Sequence, residues 1–219
     1  MFKPSWLCAF WLASCCFGPA LAAQLVVHVV DAQGQPVSDA VIMLTSEIPA
    51  AGSSPRPPSR TYYIDQKNET FIPYVQVFRP GDKVIFRNSD MTRHQIYSFS
   101  KIRKFELVLR PGQSSPSMEL DSTGIAAVGC NIHDNMVTYL FVSSAADTAI
   151  SDSEGSVRFD NLLPGRYTAK IWHPQLRPGH VEPARSVTIA GPSETGALSF
   201  TLSLIPDPRG SMDHDRPLY

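Results

Sequence analysis

The sequence predicts an all-β protein. Short runs of β-branched and apolar residues recur along it, Gly and Pro turns divide them, and no segment sustains helical periodicity. The 19 prolines point the same way, because proline suits loops and strand ends better than helix interiors. Gln24–Asp31 (QLVVHVVD) is the first expected strand; the turn Asp31-Ala32-Gln33-Gly34-Gln35-Pro36 leads to a second, Ala40–Thr45. Residues 49–60 (PAAGSSPRPPSR) read as a loop or linker. Tyr74–Phe78 and Lys83–Arg87 follow around the turn Arg79-Pro80-Gly81-Asp82. Next come Gln95–Ser98, Lys104–Leu109, Ser117–Leu120, Ile125–Gly129 and Met136–Val142, then Val157–Phe159, Arg166–Trp172, Ser186–Ala190 and Ala197–Leu204. Many short strands of this kind indicate a sandwich or barrel. The polar, Pro-containing stretch 206–219 reads as a loose tail.

The 219 residues suffice for one large or two small domains. The charge is nearly balanced, with 19 Lys and Arg against 20 Asp and Glu, so no basic excess points to nucleic acid. Residues 1–23 form an expected signal peptide: Lys3 gives a positive start, Ser5–Phe17 is apolar, and Ala20-Leu21-Ala22 offers small residues for cleavage after Ala22 or Ala23. An alternative is lipoprotein-type processing at Leu12-Ala13-Ser14-Cys15. The apolar stretch is short for a membrane span, and no later run is long enough. An exported chain is therefore expected, in the periplasm.

Export changes the meaning of the cysteines. Cys8, Cys15 and Cys16 fall in the signal segment, so the mature chain keeps Cys130 alone and has no internal disulfide to form. A buried thiol acting as a small hydrophobe is the plain reading of such a residue. Its neighbours argue otherwise. Gly129-Cys130-Asn131-Ile132-His133-Asp134-Asn135-Met136 sets Cys, His and Met at C-x-x-H-x-x-M spacing. Thiolate, imidazole and thioether together suit copper, which must be held as both Cu(I) and Cu(II). A trigonal His₂Cys set with a long axial Met needs a second His, and one tight loop cannot easily surround a metal. His94 fills the place, at the start of a strand that follows the polar turn Ser89–Arg93. Each of these residues alone could be structural; it is the donors, their order and the strand context together that select a metal site. Zinc would call for more Cys, His or carboxylate and would not recruit Met. His28, His173, His180 and His214 lie in strand or loop contexts without such partners. No nucleophilic triad or phosphate loop is evident, so no enzyme is expected.

These segments resemble the cupredoxins, the plastocyanin and amicyanin group in particular. The matching pieces are Phe78-Arg79-Pro80-Gly81-Asp82-Lys83-Val84-Ile85-Phe86-Arg87-Asn88, His94, and Gly129 through Met136. The chain is also similar to plastocyanin-like periplasmic proteins labelled as methylamine-utilization proteins. The resemblance covers about residues 61–145 and implies a Greek-key β-sandwich holding one type 1 copper through His94, Cys130, His133 and Met136. It further implies one-electron transfer between redox proteins, such as a c-type cytochrome or a dehydrogenase. Storage or delivery of copper is the alternative function. Gln95 and Asn131 stand where plastocyanin-like sites link the two ligand segments, and Asp134 follows the second His. Arg93 and Asp134 occupy positions where the family usually carries Pro, which alters charge and stiffness at the metal's edge.

The flanking segments resemble a different module. Asp31–Val41 is similar to the opening hairpin of transthyretin-like or carboxypeptidase-regulatory-like domains, and Ala146–Tyr167 to their continuation. The implied arrangement is a cupredoxin at 61–145 set into a second β-sandwich split between 24–48 and 146–205. The alternative is one cupredoxin with extra strands at both ends.

Overall fold

The protein is all-β. The computed structural model describes residues 23–47, 57–133, 135–177, 179, 182–191 and 194–210. Residues 1–22 of the expected signal peptide, Asp134, His180, His214 and the tail beyond Gly210 lie outside them, whereas Ala23, the last residue of that expected segment, opens the first strand. Among the described residues the strands, numbered in chain order, form four sheets, and the one helical element is a 3₁₀ turn at Pro208–Gly210.

The first sheet joins β1 (Ala23–Asp31) to β13 (Ser156–Leu162) and β16 (Thr195–Leu202); the second joins β2 (Val41–Ser46), β12 (Asp147–Ile150), β14 (Gly165–Trp172) and β15 (Ala184–Ile189). Their facing sides enclose one core. Leu25, Val27 and Val29 of β1 alternate inward as a half-buried strand requires, and meet Ile42, Leu44, Ile171 and Phe200.

The other pair of sheets comes from the middle of the chain. One contains β3 (Thr61–Gln66), β4 (Phe71–Ile72), β6 (Asp82–Asn88) and β9 (Met118–Leu120). Its partner has the order β5 (Val75–Phe78), β11 (Val137–Val142), β10 (Gly124–Cys130), β7 (His94–Ser98) and β8 (Phe105–Leu109). Between them lies a second core that includes Ile64, Phe86, Ile96, Val128, Leu140 and also Cys130 and Met136.

A third apolar cluster forms where the two inner sheets meet back to back. β11 turns Leu140 and Val142 into the second core and Tyr139 and Phe141 outward; β2 turns Ile42 and Leu44 into the first core and Val41 and Met43 outward. Trp172 packs between, with ring centroids 5.6 Å from Tyr139 and 5.2 Å from Phe141.

The expected strands are present to within a few residues, and three more join them: β3, β4 and β12. Residues 206–210, which the composition assigns to a loose tail, are held instead. Asp207 pairs with Arg209 at 2.6 Å, and the Arg209 guanidinium lies 3.4 Å from the centre of the Tyr74 ring.

Candidate metal centre

Two neighbouring strands bring the first pair of candidate ligands together. β7 and β10 run antiparallel with Cys130 opposite Ile96. Side chains on one face of a strand recur every second residue, so His94 shares the inner face with Ile96. Both His94 and Cys130 are buried, and Cys130 Sγ lies 3.7 Å from His94 Nδ1. Gly129 lets the strand pass beneath Tyr97, because a Cβ there would come within 3.1 Å of the Tyr97 hydroxyl oxygen.

The turn from β10 to β11 supplies the rest. Met136 N donates to the His133 carbonyl at 3.1 Å, and Cys130 N donates to the Met136 carbonyl at 3.2 Å. The turn thus folds back on the end of β10 and buries Met136 beside Cys130 in the second core. His133 is more open, with 26% of its side chain exposed. Ligand atoms of His94, Cys130 and His133 all lie within 4.8 Å of one another, and the two imidazole centroids are 5.3 Å apart.

The donor set fits copper on an observation independent of sequence spacing. His133 Nδ1 is buried with no hydrogen-bond partner, an arrangement that costs free energy unless something else takes the lone pair. A soft or borderline cation between this nitrogen, the Cys130 sulfur and His94 Nδ1 would satisfy it.

The outer nitrogens of both imidazoles face carboxylates. His94 Nε2 lies 2.8 Å from Asp90 Oδ2, and His133 Nε2 lies 3.4 Å from Glu69 Oε1. Asp90 is itself fixed. Its backbone N–H donates to Asn88 Oδ1 at 2.9 Å, and Asn88 Nδ2 donates to the carbonyls of Thr92 (2.8 Å) and Leu109 (2.9 Å). Burial alone would raise the Asp90 pKa. Hydrogen bonds from the Glu69 N–H, from His94 and from the Asn68 N–H outweigh it and hold the carboxyl below the usual carboxylate range.

At Gln95 and Asn131 the two candidate segments meet through their backbones: Asn131 N donates to the Gln95 carbonyl at 2.8 Å. The Gln95 side chain turns away and donates to Glu106. Asp134 lies outside the described residues. His28 is exposed on β1, and buried His173 sits 3.1 Å from the Ser38 carbonyl and accepts from Gln175 N, so neither joins the cluster. Asp90 and Glu69 were not singled out by sequence reasoning, and Asn88 entered only as the end of the strand that resembles the cupredoxins. The Asp four residues before His94 was the available signal for the first; nothing local marks Glu69.

No protein-family model matches the chain, and no curated protein is similar to it. Among solved structures it is similar to a purple cupredoxin from Nitrosopumilus maritimus, at 20% identity and a TM-score of 0.34, over 37% of this chain and 98% of that one. It is also similar to amicyanin from Paracoccus versutus, at 12% identity and a TM-score of 0.35, over 46% of this chain and 98% of that one. A reduced amicyanin variant gives 16% identity and a TM-score of 0.35, over 47% and 98%. Each likeness spans less than half of this chain.

Proposed function

We propose that this chain is an exported type 1 copper protein that carries single electrons between redox proteins and performs no catalysis of its own. The observation that carries the reading is the convergence of Cys130 Sγ, His94 Nδ1 and an unpartnered, buried His133 Nδ1. One copper would be held by His94, Cys130 and His133, with Met136 as the weak axial donor. Bound there, copper supplies a one-electron couple. The chain's own part is to hold the ligands still, so that little rearranges when the charge changes. Buried His94, Cys130 and Met136 favour a resident metal over one handed on to another protein, which would need accessible ligands. His133 and exposed Ile132 form the edge at which a partner such as a c-type cytochrome or a dehydrogenase would dock. Residues 1–23 would direct export to the periplasm. In this reading 61–145 is the copper-holding unit, and 24–48 with 146–205 is the sandwich that carries it.

The test is to add Cu(II) to the purified mature protein and record its visible spectrum and reduction potential. An intense thiolate-to-copper band at one copper per chain is expected, reversibly bleached by one electron. Cys130→Ser should lose that band altogether, because the thiolate is both ligand and chromophore. A Cys130→Ser protein that still turns blue, or a wild type that binds copper without colour, would overturn the assignment. Rapid loss of bound copper to a mild chelator would favour delivery over electron transfer.

A further inference from the structure

The hairpin joining β3 to β4 lies outside every sequence motif of the site, yet it reaches both imidazoles. Lys67 and Thr70 exchange backbone hydrogen bonds of 2.9 and 3.3 Å, closing a two-residue turn. Both central residues have positive φ, 53° at Asn68 and 54° at Glu69. Turns of this hand favour Asn followed by Gly. Asn tolerates the left-handed region, whereas Glu is strained there. A strain-free glycine position is thus filled by a carboxylate.

The turn is tied to the first imidazole through Asp90. The Asp90 carboxylate accepts the Asn68 N–H at 2.5 Å and the Glu69 N–H at 3.1 Å while it contacts His94 Nε2 at 2.8 Å. The same turn delivers Glu69 Oε1 to 3.4 Å from His133 Nε2. The outer nitrogen of His133 therefore faces an acceptor, and its inner nitrogen, Nδ1, is left bare and buried.

We propose that Glu69 is a positioning residue for His133. Its carboxylate holds the imidazole in the tautomer with the hydrogen on Nε2, so that the Nδ1 lone pair points to the metal. Its negative charge also favours the more highly charged state of that metal. This rests on the copper reading given above. Orientation of a ligating histidine by a hydrogen bond to its far nitrogen is a general device at metal sites. What is particular here is that a strained hairpin residue, far from the ligand motif in sequence, supplies it.

Two variants test the assignment. Glu69→Gly removes the carboxylate while giving the turn its preferred Asn-Gly sequence, so the hairpin keeps or gains stability. Glu69→Gln keeps an acceptor oxygen but not the charge. In metal-free wild type, ¹⁵N shifts of the His133 ring should report the Nε2–H tautomer; Glu69→Gly should become a mixture, and Glu69→Gln should keep the wild-type tautomer. In the copper-loaded protein at one fixed pH, both variants should favour Cu(I), by about two- to fivefold in the Cu(II)/Cu(I) equilibrium for so exposed a charge. Either readout unmoved in Glu69→Gly overturns the assignment. A wild type that is blue but indifferent to Glu69 sinks this inference alone. A wild type that takes no copper, yet shows a Glu69-dependent tautomer, sinks the copper reading alone.

Discussion

Neither ring nitrogen of His94 is idle: Nδ1 lies 3.7 Å from the Cys130 sulfur and Nε2 lies 2.8 Å from the Asp90 carboxylate. A buried imidazole with a neighbour at each nitrogen has little room to swing, as the proposed electron carrier would require. Met136 contributes differently. Its thioether offers no hydrogen bond worth the name, and its hold comes from burial in the second core and from its backbone bonds to Cys130 and His133. Met136→Leu keeps the volume and the packing but removes the sulfur, so folding should change by less than about 1.5 kcal/mol. Cyclic voltammetry of the copper form should then show a higher potential with the blue band retained, because a donor that favours Cu(II) is lost. A lower potential or a colourless protein would show that Met136 is not the axial ligand. At this scale the candidate donors could be picked out of the sequence, since soft donors in strand context favour one chemistry, and the fold brings His94, Cys130 and His133 together. Glu69 was not legible, because its meaning depends on which strand folds next to it.

Among the elements, β6 and the turn after it position the site most directly. Asn88 closes β6; its side chain donates to the Thr92 carbonyl and accepts from Asp90 N within that turn, and also donates to the Leu109 carbonyl at the end of β8. Asn88→Ala would take that partner from the buried Leu109 carbonyl and from the half-buried Asp90 N–H, at a cost of about 1–3 kcal/mol. Because Asp90 hangs from this bond, the variant should also lose the fixed orientation of His94. We expect a lower melting temperature together with a broadened copper EPR signal; a melting temperature unchanged within error would mean the turn holds itself. The strands that the sequence failed to mark each lack a legible pattern, for a different reason. β3 ends in Asp65-Gln66, with Gln66 buried by donating from Nε2 to the Arg87 carbonyl, so a polar residue fills a core position. β4 has only two residues, Phe71–Ile72. β12 (Asp147–Ile150) shows no inward–outward alternation, and its place is set by pairing with β2.

Across the whole molecule the sheets stack as two cores joined through a third cluster of Val41, Tyr74, Val75 and Phe141, with Trp172 and Tyr139 packed against it. The polar clamp of Arg209, Asp207 and Asp39 stands at the same junction, with Arg209 over Tyr74. Burial and then the neighbouring Tyr139 push the Tyr74 hydroxyl well above the usual tyrosine range, against the opposing charge of Arg209, so that group stays neutral there. Residues 61–145 produced alone would expose Tyr139 and Phe141, each large side chain worth about 1.5–3 kcal/mol of burial. The fragment should still bind copper and turn blue, because every proposed ligand lies within it, but unfold at a lower denaturant concentration than the mature chain. A fragment that does not fold would favour one integrated body over a copper unit set into a second sandwich.

Strand character, turn positions and the donor set are local properties, and the sequence determined them: alternation in β1 reports a half-buried strand, and C-x-x-H-x-x-M reports soft donors in one loop. His94 could be nominated because a trigonal site needs a second imidazole from elsewhere. Which carboxylates stand behind the two imidazoles was decided only in three dimensions. Asp90 stands behind His94 because the turn tied by Asn88 leads from β6 in one sheet to β7 in the other, and Glu69 behind His133 because β3 runs parallel to β6 and ends beside it. The outward faces of β2, β11 and β14 likewise carry apolar residues whose partner lies on another sheet. Local sequence encodes what a residue can do, but contacts between strands far apart in the chain depend on register and layer order, and those are set by the packing of all the sheets together.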